Sequence, residues 1–193
     1  MDTKNGYRVY LDMDGVLADF VKGACKAHGT TLEFILPNWE PGVWDMTLAM
    51  NIPHSQFWRE IDKLAAHFWE RLEPTPFFND IVKLVKELSD DWYVLTSPTL
   101  RIPSYTGKVW WLRKHFGGSF DRFHITPYKH LFAGPGVLLI DDREKNVNEF
   151  VQAGGDGLLF PSYLNKLYEY KDDPVDHLRE ILGMEKNDAP KST

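Results

Sequence analysis

Three short apolar segments of the chain end directly in acidic or hydroxyl residues, and this pattern limits the folds that the sequence can adopt. The segments are residues 7–11, 92–95 and 137–140, and they are followed by Asp12, Thr96 and Asp141, respectively. Such continuous apolar runs are typical of strands that are covered on both faces, as they are in a parallel sheet. We therefore expect these segments to be neighbouring strands of one buried sheet.

Segments with helical spacing of apolar residues lie between the predicted strands. Residues 81–88 form one such segment, residues 105–116 form a second that stops at Gly117, and residues 147–151 form a third that stops at Gly154. Strands that alternate with helices indicate a parallel sheet with helices on both faces. The sequence therefore predicts an α/β fold with a doubly wound parallel sheet.

The region that follows the first strand and its short helix interrupts this alternation. Residues 30–50 are irregular in pattern, and the apolar residues from Phe57 to Leu72 then recur every three or four positions. This spacing predicts one long amphipathic helix that ends before Pro74. We therefore predict a small helical cap inserted after the first strand. The predicted parts are a core of residues 1–29 and 73–184, a helical cap of residues 30–72 and a polar tail of residues 185–193.

The composition is that of an ordinary globular protein. Of 193 residues, 43% are hydrophobic and 26% are charged, which excludes extended disorder, collagen and coiled coil. No apolar run approaches the roughly 20 residues that span a bilayer, and the first residues lack the apolar core of an export signal. The single cysteine, Cys25, fits a reducing cytoplasm. The net charge of −6 argues against binding to a nucleic acid duplex.

The polar residues at the ends of the predicted strands are expected to share one site, because ligands bind at the carboxyl ends of parallel strands. They are Asp12, Asp14, Thr96, Ser97, Asp141 and Asp142. Crowded carboxylates repel one another unless a cation or a proton intervenes, and Mg²⁺ prefers oxygen ligands of this kind. Either acidic pair alone is more often a turn or a helix cap. The prediction of a Mg²⁺ site therefore depends on their joint placement at successive strand ends.

These motifs resemble those of the haloacid-dehalogenase-type (HAD) phosphatases. The segment 11–19, Leu-Asp-Met-Asp-Gly-Val-Leu-Ala-Asp, is similar to the first motif of that superfamily. Thr96 resembles the second motif and Lys129 the third, with His130 as the alternative to Lys129. Asp141 and Asp142 resemble the fourth motif. The resemblance implies a phosphatase fold and a phosphatase reaction.

Within the superfamily, the sequence most resembles the 5'(3')-deoxyribonucleotidases. The resemblance covers most of the chain from Arg8 to Asn146, although the cap matches loosely. The segments that carry it are residues 12–20, 72–74, 96–98 and 108–111. The resemblance implies an Mg²⁺-dependent hydrolase that removes phosphate from (deoxy)ribonucleoside monophosphates through an aspartyl-phosphate intermediate.

The resemblance also implies roles for individual residues. Asp12 would be the nucleophile and Asp14 the general acid and base, while Thr96 and Lys129 would stabilise the transferring phosphoryl group. The implied metal ligands are Asp12, Asp14 through its backbone carbonyl, Asp141 and Asp142. The sequence leaves open whether Asp142 binds the metal directly or through water.

The implied substrate-binding residues divide between phosphate and base. Gly15 would let the backbone approach the phosphate, and Ser97 and Lys108 would contact it. Phe20 and Trp44 would hold the nucleobase, with Trp69 as the next candidate. The other apolar residues of the segment 57–72 are expected to form the core of the cap.

Three alternatives to a nucleotidase remain open. One is a phosphatase of the same chemistry that acts on another small phosphomonoester, such as a sugar phosphate. The second is a phosphate-receiving signalling module, against which the inserted cap and the acid/base residue Asp14 argue. The third is a non-catalytic phosphate-binding module, against which the complete set of motif residues argues. The base, the sugar and the position of the phosphate stay open. A cytoplasmic location is expected, and a homodimer is compatible with the sequence.

Overall fold

A five-stranded sheet, in which every strand pair is parallel, forms the centre of the protein. The computed structural model describes residues 6–185, so the predicted tail lies outside the described residues except for Glu185. The strands are β1 (Arg8–Leu11), β2 (Trp92–Thr96), β3 (Phe123–Ile125), β4 (Val137–Asp141) and β5 (Asp156–Leu159). Their order is β3-β2-β1-β4-β5. The predicted parallel α/β fold is therefore confirmed.

Helices connect the strands and cover the sheet. They are α1 (Phe20–Ala27), α2 (Leu32–Ile35), α3 (Met46–Met50), α4 (His54–Leu64), α5 (Ala66–Glu70), α6 (Phe78–Leu88), α7 (Ile102–Phe116), α8 (Glu144–Gln152) and α9 (Pro174–Ile181). Short 3₁₀ turns lie at Leu36–Asn38, Lys129–Phe132 and Tyr168–Tyr170. No helix within residues 6–185 is long and apolar enough to span a membrane.

The central strand β1 places its carboxyl end between those of β2 and β4. Leu11 lies beside Val94 on one side and beside Ile140 on the other. The backbone N–H of Asp12 then donates to the carbonyl of Ile140 at 2.9 Å. The strand order reverses between β1 and β4, and the crevice at such a point is where ligands bind in open α/β sheets.

The chain between β1 and α1 is a tight turn, although the spacing of the apolar residues Val16, Leu17, Phe20, Val21 and Ala24 is that of a helix. Val16 and Leu17 are buried in this turn, and α1 begins only at Phe20. Asp19 caps the helix, because its side chain accepts a hydrogen bond from the N–H of Lys22 at 2.9 Å. The turn is anchored by the hydroxyl of Thr75, which donates to the carbonyl of Val16 at 2.8 Å.

The region inserted between α1 and α6 is helical, as predicted, but the prediction of one long helix is wrong. Two helices, α4 and α5, replace it, and residues 30–50 contain the short helices α2 and α3. Buried residues of the insertion, such as Phe57 and Ile61, belong to the same apolar core as Val9 and Leu11 of β1. The division into a core of residues 1–29 and 73–184 and a cap of residues 30–72 stays a prediction.

The break between α4 and α5 lies at Ala65, which has a φ of 49°. Beyond it, α5 packs closely against α7 at Gly107. A Cβ atom on Gly107 would lie 2.2 Å from the carbonyl oxygen of Ala66 and 2.6 Å from the Cβ of Trp69. The apolar spacing continues unchanged through the break, so the pattern alone could not show it.

We expect the Ala65→Gly variant to be more stable than the wild type by about 1 kcal/mol, because glycine adopts a positive φ without the steric cost of a Cβ atom. The free energy of unfolding in urea measures this difference. Ala66→Gly is the matched control in the first turn of α5, and it should lose up to about 1 kcal/mol. Equal destabilisation by both substitutions would contradict the strain at Ala65.

Candidate active site

Three buried carboxylates meet at the ends of β1 and β4. Asp12, Asp141 and Asp142 each offer an oxygen atom, and these atoms lie within 4.8 Å of one another. All three side chains are almost inaccessible to solvent. Asp14 does not contribute its side chain to this group, and its predicted contact through the backbone carbonyl stays a prediction.

The crowding of these carboxylates changes their acidity. Burial, together with the charge of Asp12, raises the pKa of Asp141 to about 6, although the nearby ammonium of Lys129 opposes the change. Burial and the charges of Asp141 and Asp12 raise the pKa of Asp142 well above its usual range. A divalent cation would relieve this repulsion, and a set of carboxylate oxygens suits a hard ion such as Mg²⁺. The residues present therefore fit a Mg²⁺ site.

Lys129 lies between two of the carboxylates. Its ammonium is 2.7 Å from Oδ1 of Asp12 and 2.6 Å from Oδ2 of Asp141. Burial by itself would lower the pKa of Lys129, but the charges of both carboxylates and their hydrogen bonds outweigh burial and raise the pKa. Lys129 is therefore a permanent cation beside Asp12. It is the residue that resembles the third motif, and it precedes the fourth motif in the sequence.

Asp141 is oriented by two residues that the sequence analysis did not single out. The side-chain amide of Asn146 donates to both carboxylate oxygens of Asp141, at 3.1 and 3.0 Å. The backbone N–H of Arg143 donates to Oδ1 at 2.9 Å. Arg143 and Asn146 follow Asp141 by two and five residues, at the start of α8. This short spacing was the available signal that they contact Asp141.

A second buried lysine, Lys108, holds the other acidic residue of the first motif. Its ammonium bonds to Oδ2 of Asp14 and donates to the hydroxyl of Thr96 at 2.9 Å. Burial raises the pKa of Asp14, and the negative charge of Asp12 raises it further. The ammonium of Lys108 lowers it, but the pKa of Asp14 remains above its usual value. A raised pKa suits a group that must carry a proton in order to donate it.

Gly15 provides space for the carboxylate of Asp142. The residue has a φ of 78°, and a Cβ atom at this position would lie 2.0 Å from Oδ2 of Asp142. Any other residue would therefore displace a member of the carboxylate group. The predicted approach of the Gly15 backbone to a phosphate stays a prediction.

These residues open onto a cavity of about 820 Å³. The predicted site residues that line it are Asp12, Asp14, Gly15, Phe20, Trp44, Ser97 and Asp142. The other predicted site residues are buried behind this surface, and they are Thr96, Lys108, Lys129 and Asp141. The structure therefore brings all the predicted site residues together around one cavity, some on its wall and the others buried directly behind it.

Aromatic rings form much of the wall of the cavity. Phe20 stacks on Trp69, with ring centroids 5.8 Å apart and an angle of 27° between the planes. Trp44 lies in the loop before α3 and is 40% exposed, and the guanidinium of Arg143 is 5.4 Å from its ring centroid. Phe20 and Trp44 thus have the positions that their predicted contact with a base needs, and the contact itself stays a prediction.

Helix α4 and the loop after β2 add residues to the wall that the sequence did not assign to the site. From α4 come His54, Ser55, Trp58, Arg59 and Asp62, and from the loop come Pro98, Thr99, Leu100 and Arg101. Arg101 and Asp62 connect the two parts, with 3.3 Å between Nη2 and Oδ2. Trp58, Arg59 and Asp62 lie between the apolar residues of the predicted stripe, which was the available signal for them.

Comparison with known proteins assigns the chain to a family. The family model described as "5' nucleotidase, deoxy (Pyrimidine), cytosolic type C protein" matches residues 7–177. The chain belongs to this nucleotidase family. The predicted resemblance to the 5'(3')-deoxyribonucleotidases is therefore confirmed, and the protein is an enzyme, a hydrolase of the nucleotidase type.

Two relatives agree with this assignment. The mitochondrial 5'(3')-deoxyribonucleotidase of Mus musculus is 30% identical over 171 residues, which cover 82% of this chain and 74% of the relative. The cytosolic type from Homo sapiens is 33% identical over 150 residues, which cover 71% of each chain.

Solved structures with low sequence identity share the fold. A hydrolase from Streptococcus pneumoniae has a TM-score of 0.56 and 14% identity, over 93% of this chain and 99% of that one. A HAD hydrolase from Bacillus subtilis, whose structure was determined bound to magnesium, has the same TM-score and identity, over 93% and 100% of the two chains. These similarities confirm the HAD-like architecture.

We expect Asp142→Asn to stabilise the metal-free protein by roughly 1–2 kcal/mol near pH 8, because it removes one buried charge from a crowded group. The folded-state pKa of Asp142 is raised, so the charged form is disfavoured in the folded state. The charge of Asp142 therefore lowers the free energy of unfolding above the unfolded-state pKa of about 3.9, and this loss grows until the pH exceeds the folded-state pKa. The gain should therefore be smaller near pH 5 than near pH 8, as measured by urea unfolding with a chelator present.

Added Mg²⁺ provides the internal control for this experiment. It should stabilise the wild type, in which all three carboxylates are present, more than it stabilises Asp142→Asn. If the variant is no more stable than the wild type near pH 8 without metal, the carboxylates do not repel one another as the geometry implies.

Proposed function

We propose that the protein is an Mg²⁺-dependent phosphomonoesterase that removes phosphate from (deoxy)ribonucleoside monophosphates through an aspartyl-phosphate on Asp12. The observation that carries this proposal is the pairing of Asp12 with Lys129 and of Asp14 with Lys108 at the base of one cavity. The cavity volume of about 820 Å³ is in the range of small-molecule sites. The names of the relatives support a nucleotide as the substrate.

Asp12 has a suitable environment for a nucleophile. The backbone N–H of Met13 donates to its Oδ1 at 2.7 Å, and Lys129 is bound to the same oxygen. These contacts fix the carboxylate and leave Oδ2 to attack phosphorus. The attack forms an aspartyl-phosphate and divides one difficult hydrolysis into two easier steps. The charge of Lys129 stabilises the negative charge on the transferring group.

Asp14 acts first as an acid and then as a base. It donates its proton to the nucleoside oxygen that leaves, and it then takes a proton from the water that attacks the aspartyl-phosphate. The hydroxyls of Thr96 and Ser97 bind phosphoryl oxygens, and Lys108 adds positive charge. Mg²⁺ bound to Asp12, Asp141, Asp142 and the backbone carbonyl of Asp14 would supply further neutralisation of the phosphate charge.

The nucleoside extends from the carboxylates toward the inserted helices. Phosphorus must be within reach of Asp12, so the base lies farther out, between Phe20 and Trp44. Stacking of a base on an aromatic ring contributes roughly 1–3 kcal/mol. The backbone of Gly15 lies close to the phosphate, where it has no side chain to exclude it.

Phosphate release from a panel of nucleoside monophosphates tests the proposal directly. The panel contains 5' and 3' monophosphates of ribose and deoxyribose with each base, and also sugar phosphates. We expect release from the nucleotides with Mg²⁺ and almost none in excess chelator, since the carboxylate group needs a cation. Asp12→Asn should lose at least roughly a thousandfold in kcat, because an amide is a poor nucleophile.

The panel also separates the alternatives. Faster release from sugar phosphates than from every nucleotide would favour a phosphatase for another small phosphomonoester. Phosphate binding without turnover by the wild type would favour a non-catalytic phosphate-binding module. Activity of Asp12→Asn within roughly tenfold of the wild type would show that Asp12 is not the nucleophile.

We expect Trp44→Ala to raise the KM for nucleotides by roughly tenfold, the equivalent of one lost stacking contact. The KM for a phosphomonoester without a base should change much less. Trp110→Ala is the matched control, because Trp110 is also a partly exposed tryptophan, at 43%, but lies on α7 outside the cavity wall. An equal rise in KM for both substrates would assign Trp44 a structural role instead.

A cytoplasmic location and a homodimer are further predictions. One relative is named as a cytosolic type and another as mitochondrial, so the names alone do not decide the compartment. The expectation that the partner is a small nucleotide rather than a nucleic acid duplex follows from the net charge of −6. The expectation that it is not a membrane follows from the lack of an apolar run of the roughly 20 residues that span a bilayer.

A further inference from the structure

The ammonium of Lys108 has three close neighbours, and one of them is an aromatic ring. Lys108 is fully buried, bonds to Asp14 and donates to Thr96 at 2.9 Å. The third neighbour is Trp69, whose ring centroid is 4.8 Å from the ammonium nitrogen. A cation at this distance over an indole is attracted by the ring, and more strongly where water is excluded.

The backbone brings Trp69 to this position through two unusual residues. The turn at Ala65 directs α5 toward α7, and Gly107 allows the two helices to touch. Gly107 directly precedes Lys108, so the lysine side chain begins next to a point where the two helices are in close contact. The contact between Trp69 and Lys108 is therefore built into the packing of α5 on α7.

We propose that Trp69 is a positioning residue that holds the Lys108 ammonium against Asp14 and Thr96. An ammonium group has three N–H donors, and Asp14 and Thr96 accept from two of them. The indole covers the ammonium and excludes the water that would otherwise compete for it. Without the ring, Lys108 gains a hydration shell and other rotamers, and Asp14 loses its fixed partner. This inference rests on the proposed function, because it acts through residues assigned to turnover.

The kinetic test uses p-nitrophenyl phosphate, which has no nucleobase and so removes base stacking from the measurement. Trp69→Leu should lower kcat by roughly tenfold while KM changes by less than about twofold. Trp69→Phe keeps an aromatic face and should retain most of the activity. Phe57→Leu is the control, because Phe57 is also buried near Phe20, at 6.4 Å between ring centroids, but lies outside the cavity wall.

A double-mutant cycle with Lys108→Met shows whether Trp69 acts through the lysine. In the Lys108→Met background, Trp69→Leu should cause no further loss of kcat, because the group that it positions is gone. The same loss in both backgrounds would overturn the proposal. So would a Trp69→Phe variant as impaired as Trp69→Leu.

An NMR measurement separates this proposal from the proposed function. A buried and hydrogen-bonded ammonium exchanges its protons slowly, so Lys108 should give an ammonium signal that Lys108→Met removes. The signal should persist in Trp69→Phe and Phe57→Leu and disappear in Trp69→Leu. A wild type without the signal, or a Trp69→Leu variant that keeps it, overturns the proposal at any level of activity. If the signals behave as expected but no monophosphate is hydrolysed, the proposed function is wrong and the contact of Trp69 with Lys108 stands.

Discussion

The repulsion among buried carboxylates at the ends of β1 and β4 is the constraint on which the site depends. Asp12, Asp141 and Asp142 are brought together by strand pairing, since the N–H of Asp12 bonds to the carbonyl before Asp141. Charges taken from water are costly unless they are paired. The fold offsets part of this cost with Lys129, and the remaining negative charge is what makes the site suitable for a divalent cation.

The two buried lysines divide the site into two halves with different chemistry. Lys129 binds Asp12 and Asp141, so its charge lies in the half that would hold metal and nucleophile. Lys108 binds Asp14, so its charge lies in the half that would move protons. Because each lysine is tied to its own carboxylates, neither can compensate easily for the loss of the other.

The strand ends could be predicted from the sequence because each apolar segment ends directly in the residue that carries the chemistry. Asp12, Thr96 and Asp141 lie where the end of a parallel strand places them. The turn at Ala65 could not be predicted, because the apolar spacing is the same on both sides of it and alanine favours a helix. The hydrogen bond from Asn146 to Asp141 depends on where the first turn of α8 begins. The spacing of apolar residues locates a helix start only to within a few residues, so this bond could not be predicted.

The turn at Ala65 explains how one inserted segment reaches both the cavity wall and the buried lysine. Trp58 and Trp69 are eleven residues apart in sequence, which is about 16 Å along a continuous helix. Their ring centroids nevertheless lie 6.3 and 5.8 Å from that of the same residue, Phe20. A straight helix would carry one ring away from Phe20 as it placed the other. The positive φ of Ala65 interrupts the helix, so that Trp58 lines the cavity while Trp69 also meets Lys108. The strained backbone at Ala65 therefore allows one inserted segment to reach both the cavity wall and the buried Lys108.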